Sequence, residues 1–445
     1  MNKLKDDCKI VFIITQLDMQ KAGNQVLFRT IQGYLHKGYK VLLFTSNPES
    51  DPNRADYNSL LGEYAKNLIV YRFNPLFRFL WRLLRNIPNK NRNLKIDKKE
   101  KDNIQNMEDT VPFVDVSIKA SLIGFVSQVS FFLGGFLKLL KLTKIYRPVV
   151  IYGYEIYGAP LACIVAKIFH IPFVTKFQGT IAYPIIEKYK IGAWLRIPHH
   201  LIGLKFPSNL IIMENDGTRG KDVLVRLKVP EEKIRFWIDG VDKDIYIQNF
   251  DKKRFLKELG LNEDSKTILV ASRLERWKRV DRAITAMSEV IKEVSNAILI
   301  IVGDGTERKR LEGLAEDLKL NNNVLFIGAV PHKEVKKYFN ACDIFLSLND
   351  YSNLCNPVLE ALECGKCIIT IDDGSTKEIL VNNQNVMLIK KENLSNELPE
   401  TIVNLLTNDE LRQRSEKNAR IFAEKYLLSW ENRMELEISE VEKIL

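Results

Sequence analysis

Apolar and polar positions along this chain follow two rhythms. Short continuous apolar runs at 10–15, 41–44, 149–153, 173–177 and 210–213 are separated by longer stretches with helical spacing, such as 26–37. The same rhythm resumes at Thr267. Strand-like runs at 267–272, 297–302, 324–327, 344–348 and 368–371 alternate with helical patterns at 280–294, 332–341 and 357–363. Continuous apolar strands alternating with helices predict parallel sheets covered on both faces, so the fold class is α/β with two doubly wound domains.

Length supports two domains, because 445 residues exceed one ordinary core. An apolar fraction of 46% and a charged fraction of 27% describe a globular protein. The net charge of +10 favours anionic partners without choosing among nucleotide, membrane and nucleic acid. Part of that charge is local. Over 76–101 nine cations face only Asp97 and Glu100, and Arg78, Arg82 and Arg85 share one helical face. An insertion at about 76–110 fits either a basic amphipathic helix on an anionic membrane or a solvated excursion. The uncharged run 120–137 is broken by Ser121, Ser127, Gln128, Ser130 and two glycines, and it barely reaches spanning length. It fits a helix buried in the first domain, or one lying at a membrane interface. The first residues show no secretory signal, and cytoplasmic residence is expected. Cys364 and Cys367 have C-x-x-C spacing, but no second pair accompanies them, so two ordinary buried thiols are expected.

The candidate chemistry clusters late in the chain. Arg273 and Lys278 stand just past the end of one strand, and Glu360 opens a later helix. In a parallel sheet these positions share one edge, which suits a diphosphate held by cations and backbone N–H groups. Gly23 lies in the first strand-to-helix loop, where glycine permits close backbone approach to a ligand or merely turns the chain. Gly303-x-Gly305 lacks the rest of a dinucleotide fingerprint and reads as a structural turn.

Ser272-Arg-Leu-x(3)-Lys278, Val302-Gly-Asp-Gly305, Phe326-Ile-Gly328 and Glu360-Ala-Leu-x-Cys-Gly365 resemble, in order and spacing, the retaining glycosyltransferases of family 4 with the GT-B fold. The resemblance is strong over about 210–388. It implies an N-terminal acceptor domain at 1–240, a donor domain at 241–425, and a terminal helix at 426–445 packing back on the first domain. It implies a nucleotide-diphosphate-sugar donor, transfer with retention to a glycan or lipid-linked acceptor in surface polysaccharide or glycolipid synthesis, and no obligatory metal or cofactor. Arg273 and Lys278 would neutralise the diphosphate, and Glu360 would accept from the ribose. Backbone at Asn356 and Val358 would hold phosphate, Gly23 would close on it, and Val330 would meet the base.

The chain departs from the family at two points. Ser352 stands where an acidic residue normally lies against the donor sugar; Asp350 is a substitute or a solvated loop aspartate. Gln178 replaces a frequent histidine and cannot act as a base. Glu155, Gln178, Asn215 and Asp216 are candidates for the acceptor cleft, or loop caps. A nucleotide-sugar epimerase and a non-catalytic binding subunit are the competing readings. Nucleic acid is not expected as a partner, since no recognition motif accompanies the charge.

Overall fold

The computed structural model describes residues 9–19, 25–51, 54–76, 116–376 and 379–445. Contacts divide the chain into two units. Met1–Glu214, Arg219–Trp237 and Glu435–Leu445 form the first; Asn215–Thr218 and Ile238–Met434 form the second. These boundaries differ from the expected ones. The break falls after Trp237, the segment Asn215–Thr218 joins the second unit, and the terminal segment changes unit at Glu435.

The first unit is built on seven parallel strands: β1 (Ile10–Thr15), β2 (Lys40–Thr45), β3 (Leu68–Arg72), β4 (Val150–Tyr154), β5 (Phe173–Phe177), β6 (Leu210–Glu214) and β7 (Ile234–Trp237). Their order is β3-β2-β1-β4-β5-β6-β7, with Val11 opposite both Val41 and Val150. Strand order reverses between β1 and β4. All residues of β1, β4, β5 and β6 are buried, which explains their mainly apolar character; Lys176 in β5 and Glu214 at the end of β6 are buried charged exceptions.

Three strands carried no recognised signal: β3, β7 and, in the second unit, β13 (Met387–Lys390). Each lies at a sheet edge. Edge strands are only partly covered, and these admit Arg72, Arg235 and Lys390, which break the apolar run.

Helix α1 spans Gln25–His36, α2 Ile118–Tyr146, α3 Glu155–Phe169 and α4 Pro198–Lys205. Helix α2 is longer than the 120–137 run, because Lys138, Lys141 and Lys144 continue it. Ser117 caps its first turn by accepting from the Ala120 N–H at 3.2 Å. Gln128, Phe131, Gly135, Leu139 and Thr143 are buried, and Gln128 Nε2 donates to the carbonyls of Ile156 (2.7 Å) and His199 (2.9 Å). A Cβ on Gly135 would stand 2.8 Å from Leu161, so glycine is what lets α2 approach α3. The helix is therefore buried along one face only.

The terminal helix α8 (Trp430–Glu442) ends among first-unit residues. Lys176 Nζ, almost wholly buried, pairs with Glu437 at 2.7 Å and donates to Thr30 Oγ1 at 2.9 Å. The Tyr34 and Tyr152 hydroxyls meet at 2.8 Å, and Tyr152 donates on to Glu437 at 3.4 Å.

The second unit holds six parallel strands: β8 (Lys266–Ala271), β9 (Ala297–Val302), β10 (Val324–Gly328), β11 (Ile344–Ser347), β12 (Cys367–Asp372) and β13. Their order is β10-β9-β8-β11-β12-β13, with the reversal between β8 and β11. Helices α5 (Val280–Glu293), α6 (His332–Ala341) and α7 (Asn356–Glu363) are among those covering this sheet. Gly303, at φ +133°, would place a Cβ 1.8 Å from the Ser272 carbonyl oxygen; a Cβ at Gly305 would lie 2.4 Å from that of Leu274. These glycines therefore make room for the loop after β8. Cys364 and Cys367 are free, buried thiols between α7 and β12, and burial pushes Cys367 up to about 12.

Candidate functional site

Ligands of doubly wound sheets bind beyond the strand C-terminal ends, where strand order reverses. In the second unit that point lies between β8 and β11. The loop after β8 carries Ser272 to Lys278, and the loop after β11 carries Asn349 to Cys355 into the start of α7. The two loops are joined: the Asp350 N–H donates to the Trp277 carbonyl at 2.9 Å, and the Trp277 and Tyr351 rings stack with centroids 4.4 Å apart. The Lys278 ammonium lies 4.0 Å from the Trp277 ring centroid.

Lys278 is only 9% exposed, yet among the described residues no carboxylate forms an ion pair with it within 4.0 Å. Burial lowers its pKa; the attractions of Cys355 and Asp216 oppose that, and the repulsion of Arg273 adds to it. A buried ammonium without a close counter-ion is costly unless an anion comes to it. Arg273 is exposed at the mouth of the same loop. The sequence reading thus placed both cations at one edge, and the structure holds them there together.

Asp350 is not a solvated loop aspartate. Arg282 donates to it at 2.9 Å and Arg279 at 3.4 Å, while Arg282 also holds the Leu348 carbonyl at 2.7 Å. Asp350 therefore fixes its own loop.

Asn215 and Asp216, expected in the first domain, belong to the second unit. The Leu354 N–H donates to the Asp216 carbonyl at 3.0 Å. Between them Gly217, at φ +87°, runs so close that a Cβ would stand 3.1 Å from the amide nitrogens of Asn353 and Leu354. The Asp216 carboxylate accepts from Thr218 Oγ1 at 2.6 Å and also from the Ser352 hydroxyl. Some of the residue stays accessible, but burial of the carboxylate pushes its pKa up to about 6 against those hydrogen bonds. Ser352 sits in the left-handed region at φ +61°, which turns it toward this acid. Position 352 thus has a carboxylate beside it, contributed by a loop distant in sequence.

Glu360 is nearly buried in the first turns of α7 and accepts from His332 Nε2 at 2.9 Å; His332 Nδ1 lies 3.9 Å from Asp242. His332 was not singled out from the sequence, although it opens α6 two residues after Val330. Val330 itself is half-buried against the core. The Val358 N–H, expected to face phosphate, donates to the Cys355 carbonyl at 2.8 Å, because the helix begins with a tight turn there. Among the described residues, the buried polar atoms of this unit without a hydrogen-bond partner include Ser272 Oγ, Asn353 Oδ1 and Asn215 Oδ1. Such atoms are rare in folded interiors and mark places where a ligand group can bond.

Two further candidates sit at the matching edge of the first unit. The Gln178 N–H donates to Glu155 at 2.8 Å, and Gln178 Nε2 donates to the Tyr154 hydroxyl at 2.6 Å. Glu155, at φ +60°, thus caps the loop after β5. Gly23 and the basic insertion, apart from Leu76, lie outside the described residues. Among the described residues no cluster of three or more His, Cys, Asp or Glu side chains could hold a metal.

Residues 251–422 match the family model for glycosyl transferases group 1. The second unit belongs to that family. The chain is 27% identical over 252 residues to alpha-monoglucosyldiacylglycerol synthase of Streptococcus pneumoniae, covering 53% of this chain and 54% of the relative. It is 28% identical over 176 residues to an uncharacterized glycosyltransferase of Methanocaldococcus jannaschii, covering 39% and 45%. The chain thus spans about half the length of the curated relatives it matches. Anabaena HepE in complex with UDP and glucose superposes with a TM-score of 0.68 at 17% identity, over 98% of this chain and 100% of that one. Sucrose-phosphate synthase from Thermosynechococcus elongatus gives 0.70 at 16% identity, over 98% of each. At such identities the likeness shows the fold: two parallel-sheet α/β domains of GT-B type.

Proposed function

We propose that this chain transfers a sugar from a nucleotide-diphosphate donor to an acceptor hydroxyl with retention at the anomeric carbon. The observation that carries the reading is the Lys278 ammonium, buried without an ion-paired carboxylate among the described residues, beside exposed Arg273, at the point where strand order reverses. The group that fits it is a diphosphate, whose charge grows as it departs. Arg273 and Lys278 hold that charge, so no obligatory metal or cofactor is needed to neutralise it. Glu360, steadied by His332, accepts from the ribose hydroxyls. Asn356 lies at the phosphate edge and Val330 beside the base. Asp216 and Ser352 together border the donor sugar.

In the transfer, the bond between the anomeric carbon and the phosphate oxygen breaks, and its electron pair leaves with the diphosphate. The acceptor oxygen bonds to the same face, and its proton passes to the departing phosphate oxygen. No side-chain nucleophile or histidine base is required, which accommodates Gln178. The pneumococcal relative is named for a glycolipid product and HepE was solved with UDP. Those names support a UDP-type donor and a lipid-linked acceptor in glycolipid synthesis; a glycan acceptor in polysaccharide synthesis and residence on the cytoplasmic side of a membrane belong to the proposal alone.

The test is a thermal-shift panel of UDP-, GDP- and ADP-sugars followed by turnover with the stabilising donor. One donor class should raise the melting temperature, and Arg273→Ala should lower kcat/KM by about 10²-fold. Stabilisation without turnover, or turnover of free donor to its epimer, would defeat the transferase reading.

A further inference from the structure

Helix α2 is the one described helix apolar and long enough to cross a membrane. Its buried face excludes that use. Gln128 is hydrogen-bonded into the first unit, and Phe131, Gly135 and Leu139 pack there. The opposite face is exposed and apolar. Ile118, Leu122, Phe125, Val129, Leu133 and Leu137 follow one another every three or four residues, with Leu137 74% exposed. A second element extends this surface. The Ser121 hydroxyl donates to the Leu195 carbonyl at 2.8 Å, which joins α2 to the turn bearing Ile191 (87% exposed), Trp194 and Leu195. Monomeric surfaces rarely leave so many large apolar side chains together in water.

The charge around this face has one sign along α2. The helix carries Lys119, Lys138, Lys141 and Lys144, all exposed, and no acid. On the neighbouring turn Lys188 and Lys190 are exposed, and Lys205 lies 6.0 Å from the Trp194 ring. The one acid there, Glu187, is already paired with Arg226 and Lys190. Apolar side chains flanked by lysines and an amphipathic tryptophan match the boundary of an anionic bilayer, with chains in the acyl region and ammonium groups among the phosphates.

We infer that the exposed face of α2, with the Ile191–Leu195 turn, seats the first unit on an anionic lipid surface without crossing it. This surface belongs to the first unit and uses none of the donor-site residues, so it stands or falls independently of the transfer reaction. It is also distinct from the basic insertion at 76–101.

The experiment is co-sedimentation of the full chain with vesicles of phosphatidylcholine alone and of phosphatidylcholine with phosphatidylglycerol. The wild type should pellet with the anionic vesicles. Leu122→Glu/Leu133→Glu should lower partition at least about tenfold, since each leucine loses its buried apolar area. Ile191→Glu/Leu195→Glu should act likewise from the neighbouring turn. Both pairs replace exposed side chains, so their melting temperatures and nucleotide-induced shifts should equal those of the wild type. Wild-type protein left in the supernatant would overturn the inference. So would undiminished pelleting of both variants, which would assign binding to the basic insertion. A wild-type dimer that both variants convert to monomer, without vesicle binding, would assign the face to a second copy and overturn it equally.

Discussion

Replacing Lys278 with methionine should move stability and binding in opposite directions. Methionine keeps most of the side chain's volume over the Trp277 ring and deletes the charge. Lys278 is 9% exposed and among the described residues has no ion-paired carboxylate, so no buried partner among them is orphaned by its loss. Removing an uncompensated buried charge is neutral or stabilising, by up to a few kcal/mol on the scale of apolar replacements of buried ions. Burial depresses the folded-state pKa below the ordinary ammonium value. The penalty is therefore complete below that folded pKa and is relieved as pH rises toward the unfolded value. In that alkaline window the ligand-free wild type gains stability with pH, and Lys278→Met should lose that gain. Binding of a nucleoside diphosphate should suffer, because one charge-assisted contact contributes about 1.5–3 kcal/mol, or roughly 10- to 150-fold in Kd. Calorimetric titration with UDP, alongside urea unfolding of both proteins, reads the two effects. A variant that unfolds several kcal/mol more easily yet binds the nucleotide as tightly as wild type would show that Lys278 is a structural cation and refute the reasoning.

Two other perturbations test the site and its scaffold. Asp216, held up at about 6, is protonated in the folded chain where an unfolded aspartate is already ionised, so its contribution to stability falls as pH rises from about 4 to 6. Asp216→Asn should flatten that part of the stability–pH curve in urea unfolding and raise ligand-free stability at pH 7; an unchanged curve would place the carboxylate in water. In the first unit, Lys176→Met leaves Glu437, and Glu214 at 3.9 Å from the same ammonium, buried without their cation and should cost about 3–5 kcal/mol, with only the Glu437 part recovered in Lys176→Met/Glu437→Leu. Equal stability of the single and double variants by chemical unfolding would contradict a buried pair.

The interior strands were legible because they are buried on both faces and so carry mainly apolar runs; Ile10–Thr15 and Phe173–Phe177, the latter despite the buried Thr175 and Lys176, were located to the residue. The edge strands β3, β7 and β13 were not, because a half-covered strand tolerates Arg72, Arg235 and Lys390. The stretch 120–137 was legible as apolar but not in its orientation. Only the packing partners of Gln128, Phe131 and Gly135 divide α2 into a buried and an exposed face. The site was legible where its residues lie within one loop or one turn of helix, as with Arg273, Lys278 and Glu360. It was illegible where the partner is distant, as with His332 against Glu360 at 2.9 Å.

What the sequence determined by itself is the alternation of strands and helices, and the positions of two cations just beyond a strand end and of one carboxylate opening a later helix. Local spacing suffices for that, since strand direction and sheet topology put such positions on one edge. What only the tertiary structure decided is which groups meet there. Asp350 is held by Arg279 and Arg282, whereas Asp216, from a loop distant in sequence, brings its carboxylate to Ser352. The physical reason is that hydrogen bonding and desolvation act across space. A carboxylate's partners, and hence its charge, are set by the neighbours that folding brings to it rather than by those beside it in the chain.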